Sequence, residues 1–135
     1  MKLDPSTLDV FVYGTLKPGY ANHGAYCEGK IISSTPAYTF GNLYELPMGY
    51  PAMTPGNNKV FGVLLSFNDA QILTSLDHLE GYQEHRPQAL NEYYRAWVTV
   101  YDLNHQAIAQ AWTYYMTSTR VQYYQGIELV CGCWN

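Results

Sequence analysis

The fold is decided by residues 9–14, whose sequence is Asp-Val-Phe-Val-Tyr-Gly. A short run of β-branched and aromatic side chains predicts a buried strand, and the glycine that ends it predicts a sharp turn. The loop then continues through Pro18 and Gly19. Successive backbone N–H groups in such a loop can point at one spot and bind an anion. Because its walls offer only Lys17 and no phosphate-loop pattern, a ligand carboxylate fits better than a polyphosphate. A plain Pro-Gly loop is the alternative.

Further strands are predicted along the chain by runs of β-branched and aromatic residues, at positions 30–38, 41–46, 60–67, 92–103 and 107–116. Gly62 lies inside one of these runs and indicates a bulge or a close approach of another backbone. Residues 47–56 contain three prolines and are predicted to be irregular, whereas residues 102–106 resemble a hairpin turn. About six strands with few helices predict a small barrel-like sheet that closes on itself.

One helix is predicted from Asp69 to Leu79, with apolar residues on one face at positions 72, 73, 76 and 79. Asn68 is a good N-cap, and Gln71 stands where the partner of a capping box belongs. Gly81 follows at the position where helices commonly end in a left-handed residue. A second helical turn is expected after Thr117. The pattern therefore places Glu80 at the last helical position.

Glu80 is the candidate general acid/base. The carbonyl end of a helix carries partial negative charge, which raises the pKa of a carboxyl group placed there. Asp77 adds like-charge repulsion, and Leu79 and Tyr82 can partly desolvate the group. All three effects favour a carboxyl group that exchanges a proton near neutral pH. The alternative is a tolerated surface acid at a frayed helix end, and the rival carboxylates elsewhere in the chain are Glu45, Glu84 and Glu92.

Composition limits the classes of protein to consider. The 135 residues form one predicted domain, with 47% hydrophobic and 13% charged residues and a net charge of −4. Seven scattered Lys and Arg residues give no footprint for nucleic acid. No run approaches the roughly 20 apolar residues of a membrane span, and residues 1–9 lack the apolar core of a signal peptide. We therefore expect a cytoplasmic protein, either a monomer or a homodimer, although the 14 tyrosines would also suit an aromatic interaction surface.

The three cysteines fit neither a disulfide framework nor a four-ligand zinc pattern, so we expect free thiols. Cys27, four residues after His23, is the local candidate for a thiol enzyme. A small buried cysteine is the more common situation. The remaining histidines, His78, His85 and His105, have no second ligand at metal spacing, so neither a metal nor another cofactor is predicted.

Five short motifs resemble the γ-glutamylcyclotransferase-like family, in its AIG2-like branch, and they occur in the family's order over most of the chain. They are Tyr-Gly-Thr-Leu-x-x-Gly at 13–19, Gly-x-Leu-Tyr-x-Leu at 41–46 with Gly-Tyr-Pro at 49–51, Val-x-Gly-x-Leu at 60–64, Leu-Asp-x-x-Glu-Gly-Tyr at 76–82, and Tyr-Arg at 94–95 before Val-x-Val at 98–100. The chain departs from the common pattern at residues 83–91, a long polar connection where substrate choice is expected to be set.

The resemblance implies an α+β fold, a small mixed β-barrel that is closed or nearly closed and has few short helices. It implies an enzyme that releases 5-oxoproline and an amine from a γ-glutamyl amide without a cofactor, with Glu80 as the catalytic residue. The substrate-binding residues implied or expected around it are Tyr13, Gly14, Thr15, Leu16, Tyr50 and Tyr94. The alternative is a non-catalytic module of the same fold that binds a γ-glutamyl or other carboxylate-bearing ligand. The amine half of the substrate is left open by the sequence.

Overall fold

The computed structural model describes residues 7–27 and 29–134. The first six positions, on which part of the expectation about a signal peptide depends, lie outside this range. The strands and helices follow one another as β1 (Leu8–Val12), α1 (His23–Tyr26), β2 (Ile31–Glu45), β3 (Pro51–Phe67), α2 (Ile72–Leu79), a 3-10 turn (Gln88–Leu90), β4 (Tyr94–Asp102), β5 (Ala107–Tyr115), α3 (Ser118–Tyr123) and β6 (Ile127–Glu128).

Five strands close into a barrel, and a sixth adds to one of them. The order is β3-β1-β5-β4-β2, and β2 also pairs with β3, so that the sheet returns to its first strand. The short β6 lies beside β2. Strands β1 and β5 run parallel and the other pairs antiparallel, which makes the barrel mixed. The prediction of a closed mixed β-barrel with few short helices, in the α+β class, is confirmed.

The long β2–β3 hairpin corrects two predictions. Residues 30–38 and 41–46 belong to one strand, β2, whose register with β3 shifts between Gly41 and Asn42. Residues 47–56 were expected to be irregular, but β3 already begins at Pro51. Its prolines are tolerated because Pro51 is the first residue of the strand, and Pro55 lies among residues that pair with nothing in β2. The hairpin between β4 and β5 is confirmed.

Helix α2 is shorter at its start than the sequence pattern indicates. It begins at Ile72 after Gln71, so the N-cap prediction for Asn68 is wrong, and no side chain caps this end. Instead the Asp69 side chain accepts a hydrogen bond from the backbone N–H of Gln71 at 2.9 Å. This local bond competes with helix formation in the preceding turn. Among the described residues no helix is both long and apolar enough to cross a membrane.

Two hydrophobic clusters occupy the interior. One contains Ile72 and Leu76 of α2 together with Val121 of α3, so the helices cover this face of the barrel. The other contains no residue of these helices and is built mainly from the strands. At Gly62 a Cβ atom would collide with the backbone oxygen of Val12. This confirms that another backbone approaches closely there, and it lets β1 pack directly against β3.

Candidate active site

A cavity of about 250 Å³ opens where the end of β1 and its following loop meet the end of α2 and the start of β4. Most of its walls are apolar or aromatic, and none of the lining residues is Lys, Arg or His. The lining residues are Phe11, Val12, Tyr13, Gly14, Thr15, Leu16, Asn22, Tyr50, Pro51, Leu79, Glu80, Glu92, Tyr93 and Tyr114. The glycine turn and Glu80, which the sequence singles out separately, therefore lie in one cavity.

The position of Glu80 is fixed by the end of α2. Its backbone N–H donates to the Leu76 carbonyl at 2.9 Å, and it serves as the C-cap of the helix. Gly81 follows with φ +67°, so the predicted left-handed helix end is confirmed. The carbonyl of Glu80 accepts the N–H of Tyr93 at 3.1 Å, and the carbonyl of Gly81 accepts the N–H of Glu92 at the same distance. These two bonds attach the helix end to the segment that leads into β4.

The carboxyl group of Glu80 lies deep in the protein, although the cavity leaves the residue half-buried by surface area. Burial is the main cause that raises its pKa from 4.5 to about 8, and the charges of Glu92 and Asp77 add to the effect. The expected desolvation and repulsion from Asp77 are thus both present. Glu92 contributes more than Asp77, an order that no local sequence signal indicates. A carboxyl group with this pKa can both accept and donate a proton near neutral pH.

The loop after β1 lines the cavity with Gly14, Thr15 and Leu16. Its turn is held by hydrogen bonds from the Lys17 N–H to the Gly14 carbonyl at 3.0 Å and from the Asn22 N–H to the Thr15 carbonyl at 2.8 Å. Within the part of the chain that the structure describes, no backbone carbonyl accepts from the N–H of Gly14, Thr15 or Leu16. A Cβ at position 14 would lie 2.8 Å from a ring carbon of Pro51, so glycine is needed for this close approach. These N–H groups are available to an anion.

The tyrosines of the site agree with the prediction only in part. Tyr13 and Tyr50 line the cavity, as do Tyr93 and Tyr114, but Tyr94 does not. Tyr94 is the first residue of β4 and packs against Tyr115 with ring centroids 5.9 Å apart. Tyr93 and Tyr114 are the cavity tyrosines that the sequence reasoning missed.

Three of the four tyrosine hydroxyls around the cavity donate to protein acceptors. Tyr13 donates to the carbonyl of Tyr114 at 2.7 Å, and Tyr93 donates to the carbonyl of Pro51 at 2.8 Å. Tyr114 donates to Asp77 at 2.7 Å. The fourth, Tyr50, is half-buried, and its pKa is raised first by burial, then by the neighbouring charge of Glu92, and also by the interaction of its hydroxyl with the Glu92 side chain. Its hydroxyl therefore lies beside the second carboxylate of the cavity.

Glu92 is the second carboxylate of the cavity. Its Oε1 atom accepts a hydrogen bond from the Tyr124 hydroxyl at 2.8 Å and pairs with the Arg120 guanidinium at 3.3 Å. Arg120 belongs to α3, and Tyr124 is the residue after it. The Thr117 side chain caps that helix by accepting a hydrogen bond from the backbone N–H of Arg120. The sequence reasoning named Glu92 only as a rival carboxylate. Its partners come from a part of the chain 28 and 32 residues away, which no local signal indicates.

The other rival groups lie away from the chemistry of the cavity. Glu45 accepts a hydrogen bond from the Trp134 indole at 2.9 Å, and Glu84 is an exposed side chain 3.9 Å from Arg95. Cys27 is 1% exposed within the helix-covered cluster, and burial raises the pKa of its thiol to about 11. His23 bonds to the Leu16 carbonyl at 2.9 Å. A thiol as unreactive as that of Cys27 disfavours the hypothesis of a thiol enzyme.

Metal-ligating side chains do not cluster in the part of the chain that the structure describes. No group of three or more His, Cys, Asp or Glu residues there could hold a metal ion. All three cysteines are free thiols, as expected.

The sequence is similar to those of known proteins. Residues 10–135 match the family described as "Gamma-glutamyl cyclotransferase, AIG2-like". A Vibrio cholerae protein named "Putative gamma-glutamylcyclotransferase" is 30% identical over 99 residues, which are 72% of this chain and 84% of that protein. A Halalkalibacterium halodurans protein whose name has the same wording is 38% identical over 71 residues, which are 51% of this chain and 59% of that protein. The match therefore spans less than two thirds of that relative's length.

Solved structures show the same fold. The crystal structure of an AIG2-like protein from Mus musculus superposes with a TM-score of 0.67, covering 96% of this chain and 89% of that one at 22% identity. A solution structure of an Arabidopsis thaliana protein gives a TM-score of 0.64 at 25% identity, covering 94% of this chain and 72% of that one. The barrel is therefore common to proteins of widely divergent sequence.

Proposed function

The chain belongs to the AIG2-like γ-glutamyl cyclotransferase family, and on that premise we propose that it converts a γ-glutamyl amide into 5-oxoproline and a free amine. Glu80 acts as the general acid/base. The observation that carries this proposal is the buried carboxyl group of Glu80, with its raised pKa, in the same cavity as the main-chain donors of residues 14–16. The family supports the general function, and the role of Glu80 is our own assignment.

In this proposal the loop holds the α-carboxylate of the glutamyl group. The N–H groups of Gly14, Thr15 and Leu16 donate to it, in the manner of other concave anion sites made by backbone. Since the cavity lining contains no cationic side chain, the site suits one carboxylate better than a highly charged anion. Holding the carboxylate here also bends the glutamyl chain, so that its α-nitrogen and γ-carbonyl approach each other.

The substrate supplies its own nucleophile. Ionised Glu80 takes a proton from the α-ammonium group, and the freed amine attacks the γ-carbonyl carbon to close a five-membered ring. Protonated Glu80 then gives the proton to the departing nitrogen, and the old amide C–N bond breaks as the tetrahedral oxyanion collapses. The ring nitrogen, which is positively charged after the attack, loses its second proton to the ionised Glu80. That proton leaves with the amine product as an ammonium ion, so Glu80 returns to its ionised form and one carboxyl group completes the cycle. Neither a cysteine nor a serine is required.

The aromatic walls have separate roles in this scheme. The hydroxyls of Tyr13 and Tyr93 remain bonded to backbone carbonyls, and their rings enclose the glutamyl chain and exclude water. Tyr50 is the candidate hydroxyl donor to the substrate. Tyr94, which the sequence placed in the site, does not line the cavity and has no role in our proposal.

The test is release of 5-oxoproline. Purified protein should form it from γ-glutamyl amides, with and without a metal chelator, as followed by chromatography. Thermal-shift measurements with 5-oxoproline should show stabilisation, because a ligand that binds the folded state raises the melting temperature. Stabilisation by intact γ-glutamyl amides without any product would contradict the enzymatic proposal and support the binding module instead. Cytoplasmic location and the choice between monomer and homodimer stay predictions.

A further inference from the structure

Two of the three cysteines lie on one tight turn near residue 132. Cys131 is exposed and Cys133 is half-exposed. Gly132 between them has φ +75°, and its N–H donates to the Leu129 carbonyl at 2.9 Å. Its carbonyl accepts the N–H of Phe61 in β3 at 2.8 Å. The first bond closes the turn, and the second attaches the residue between the two cysteines to the barrel.

The two thiol groups already contact each other's backbone. The N–H of Cys133 donates to Cys131 Sγ at 3.4 Å, and the Cys131 thiol donates to the Cys133 carbonyl at 3.5 Å. The Cys133 thiol donates to the Cys131 carbonyl at 3.7 Å. Residues two apart can be separated by at most about 7 Å, and a turn shortens this toward the roughly 4.4–6.8 Å between Cα atoms that a disulfide requires. No long loop has to close for these sulfurs to meet.

The surroundings differ from those of the third cysteine. Lys17 lies near Cys133 and donates to the Trp134 carbonyl at 2.7 Å. Partial burial, followed by the neighbouring Cys131, raises the pKa of Cys133, and the positive charge of Lys17 opposes this increase. Cys27 is enclosed in the core. The tail pair is accessible to reagents that Cys27 cannot meet in the folded protein.

We propose that Cys131 and Cys133 form a thiol–disulfide exchange site for low-molecular-weight disulfides such as glutathione disulfide. The exposed Cys131 thiolate, which accepts the Cys133 N–H, attacks one sulfur of the disulfide and releases the first small thiol. The Cys133 thiolate then attacks Cys131 Sγ, releases the second small thiol and closes the bond between the two cysteines. The two protons lost by the cysteines are taken up by the two released thiolates. The protein pair is oxidised, and the small disulfide is reduced.

The experiment uses the full chain, reduced and then equilibrated in buffers with a rising ratio of glutathione disulfide to glutathione. Remaining thiols are alkylated, and intact mass and peptide mapping show their state. We expect Cys131 and Cys133 to become protected together, with the loss of two hydrogen atoms. Iodoacetamide should alkylate Cys131 of the reduced folded protein at least about ten times faster than Cys27.

Two single variants separate the steps. Cys133→Ser should retain one glutathione on Cys131, because the second attack is removed, whereas Cys27→Ser should behave as the wild type. Circular dichroism checks that each variant is folded. The proposal is overturned if both tail thiols of the wild type stay open to alkylation in the most oxidising buffer, or if a glutathione adduct accumulates there without closing. Neither result depends on the proposed γ-glutamyl activity.

Discussion

Glu80 and Glu92 line the same cavity, and two backbone hydrogen bonds join their segments, yet their carboxyl groups have opposite surroundings. Glu92 accepts from Tyr124 and pairs with Arg120, so its negative charge is compensated. Among the described residues, Glu80 has neither a hydroxyl donor nor a cation as a partner. Burial is the main cause that raises its pKa to about 8. A carboxyl group that is buried without a cation is suited to move a proton, and one that is paired is suited to remain charged.

The comparison also explains how the pair works together. The charge of Glu92 is the largest charge effect that raises the pKa of Glu80, ahead of Asp77. Arg120 of α3 pairs with Glu92 at 3.3 Å and so links α3 to the carboxylate beside Glu80. Sites with two carboxyl groups in different environments often divide their roles in this way.

The largest expected effect is from Glu80→Gln. It removes the only proton carrier that we assign while keeping the shape of the side chain, so kcat should fall by about 10²- to 10⁴-fold. Affinity for 5-oxoproline should stay within a few-fold. Glu92→Gln is the matched control and should retain most of the activity at its own optimum pH. If the two variants lose activity equally, the assigned difference between the carboxyl groups is wrong.

A smaller effect is expected on stability against pH. Unfolded Glu80 loses its proton near pH 4.5, whereas folded Glu80 retains it up to about pH 8. The folded state therefore binds more protons between these values, and this group's contribution to the free energy of unfolding is present in full below pH 4.5 and is lost as the pH rises to about 8. Urea unfolding of the wild type and Glu80→Gln should diverge over this interval. A constant difference from pH 5 to 8 would mean that Glu80 is not buried in its neutral form.

The next effect concerns the pH dependence of the rate. Glu92→Gln removes a negative charge near Glu80, so the pKa of Glu80 should fall and the acid limb of kcat/KM should move to lower pH. The rate above the limb should change by less than about ten-fold, since Glu92 transfers no proton in our scheme. Profiles recorded from pH 5 to 9 test this. An unmoved limb would show that the two groups are not coupled.

The smallest effect is expected from Tyr124→Phe. It removes the hydrogen bond to Glu92 and the one that the Tyr124 hydroxyl accepts from Arg120, and it leaves the ion pair of Arg120 with Glu92 in place. Stability should therefore fall by about 1 kcal/mol. The acid limb should move less than in Glu92→Gln, because the charge of Glu92 remains. Thermal denaturation and the same pH profile measure both quantities. A larger shift than that of Glu92→Gln would mean that Tyr124 acts on Glu80 by another route.

The end of α2 could be predicted because its signals are local. Apolar spacing and Gly81 place Glu80 at the helix terminus, and both are read within a dozen residues. The burial of Glu80 could not be predicted from these local signals, because its cavity is also formed by Tyr93 and the glycine turn at residue 14. The sequence indicated a raised pKa, but it could not rank the causes, because Glu92 and its partner Arg120 come from other elements.

The sequence predicted the barrel, but it did not predict the bounds of all its strands. Strand propensity and the family motifs predicted closure, yet the prolines of residues 47–56 concealed the start of β3. Proline occurs where no backbone N–H donor is needed. This condition is met in a loop, at the first residue of a strand and in a bulge, so proline content does not distinguish these three. Site residues have a similar limit. The sequence pattern predicted Tyr94 in the site instead of Tyr93, and in extended backbone a shift of one residue turns the side chain to the opposite face of the sheet.

The central claim is that Glu80 is a buried carboxyl group whose proton is exchanged near neutral pH. The most direct measurement is an NMR titration of protein that carries carbon-13 at the glutamate carboxyl groups, with the Glu80 signal identified by its absence in Glu80→Gln. We predict a midpoint near pH 8 for this signal. A midpoint near 4.5, the value of an exposed glutamate, would contradict the account.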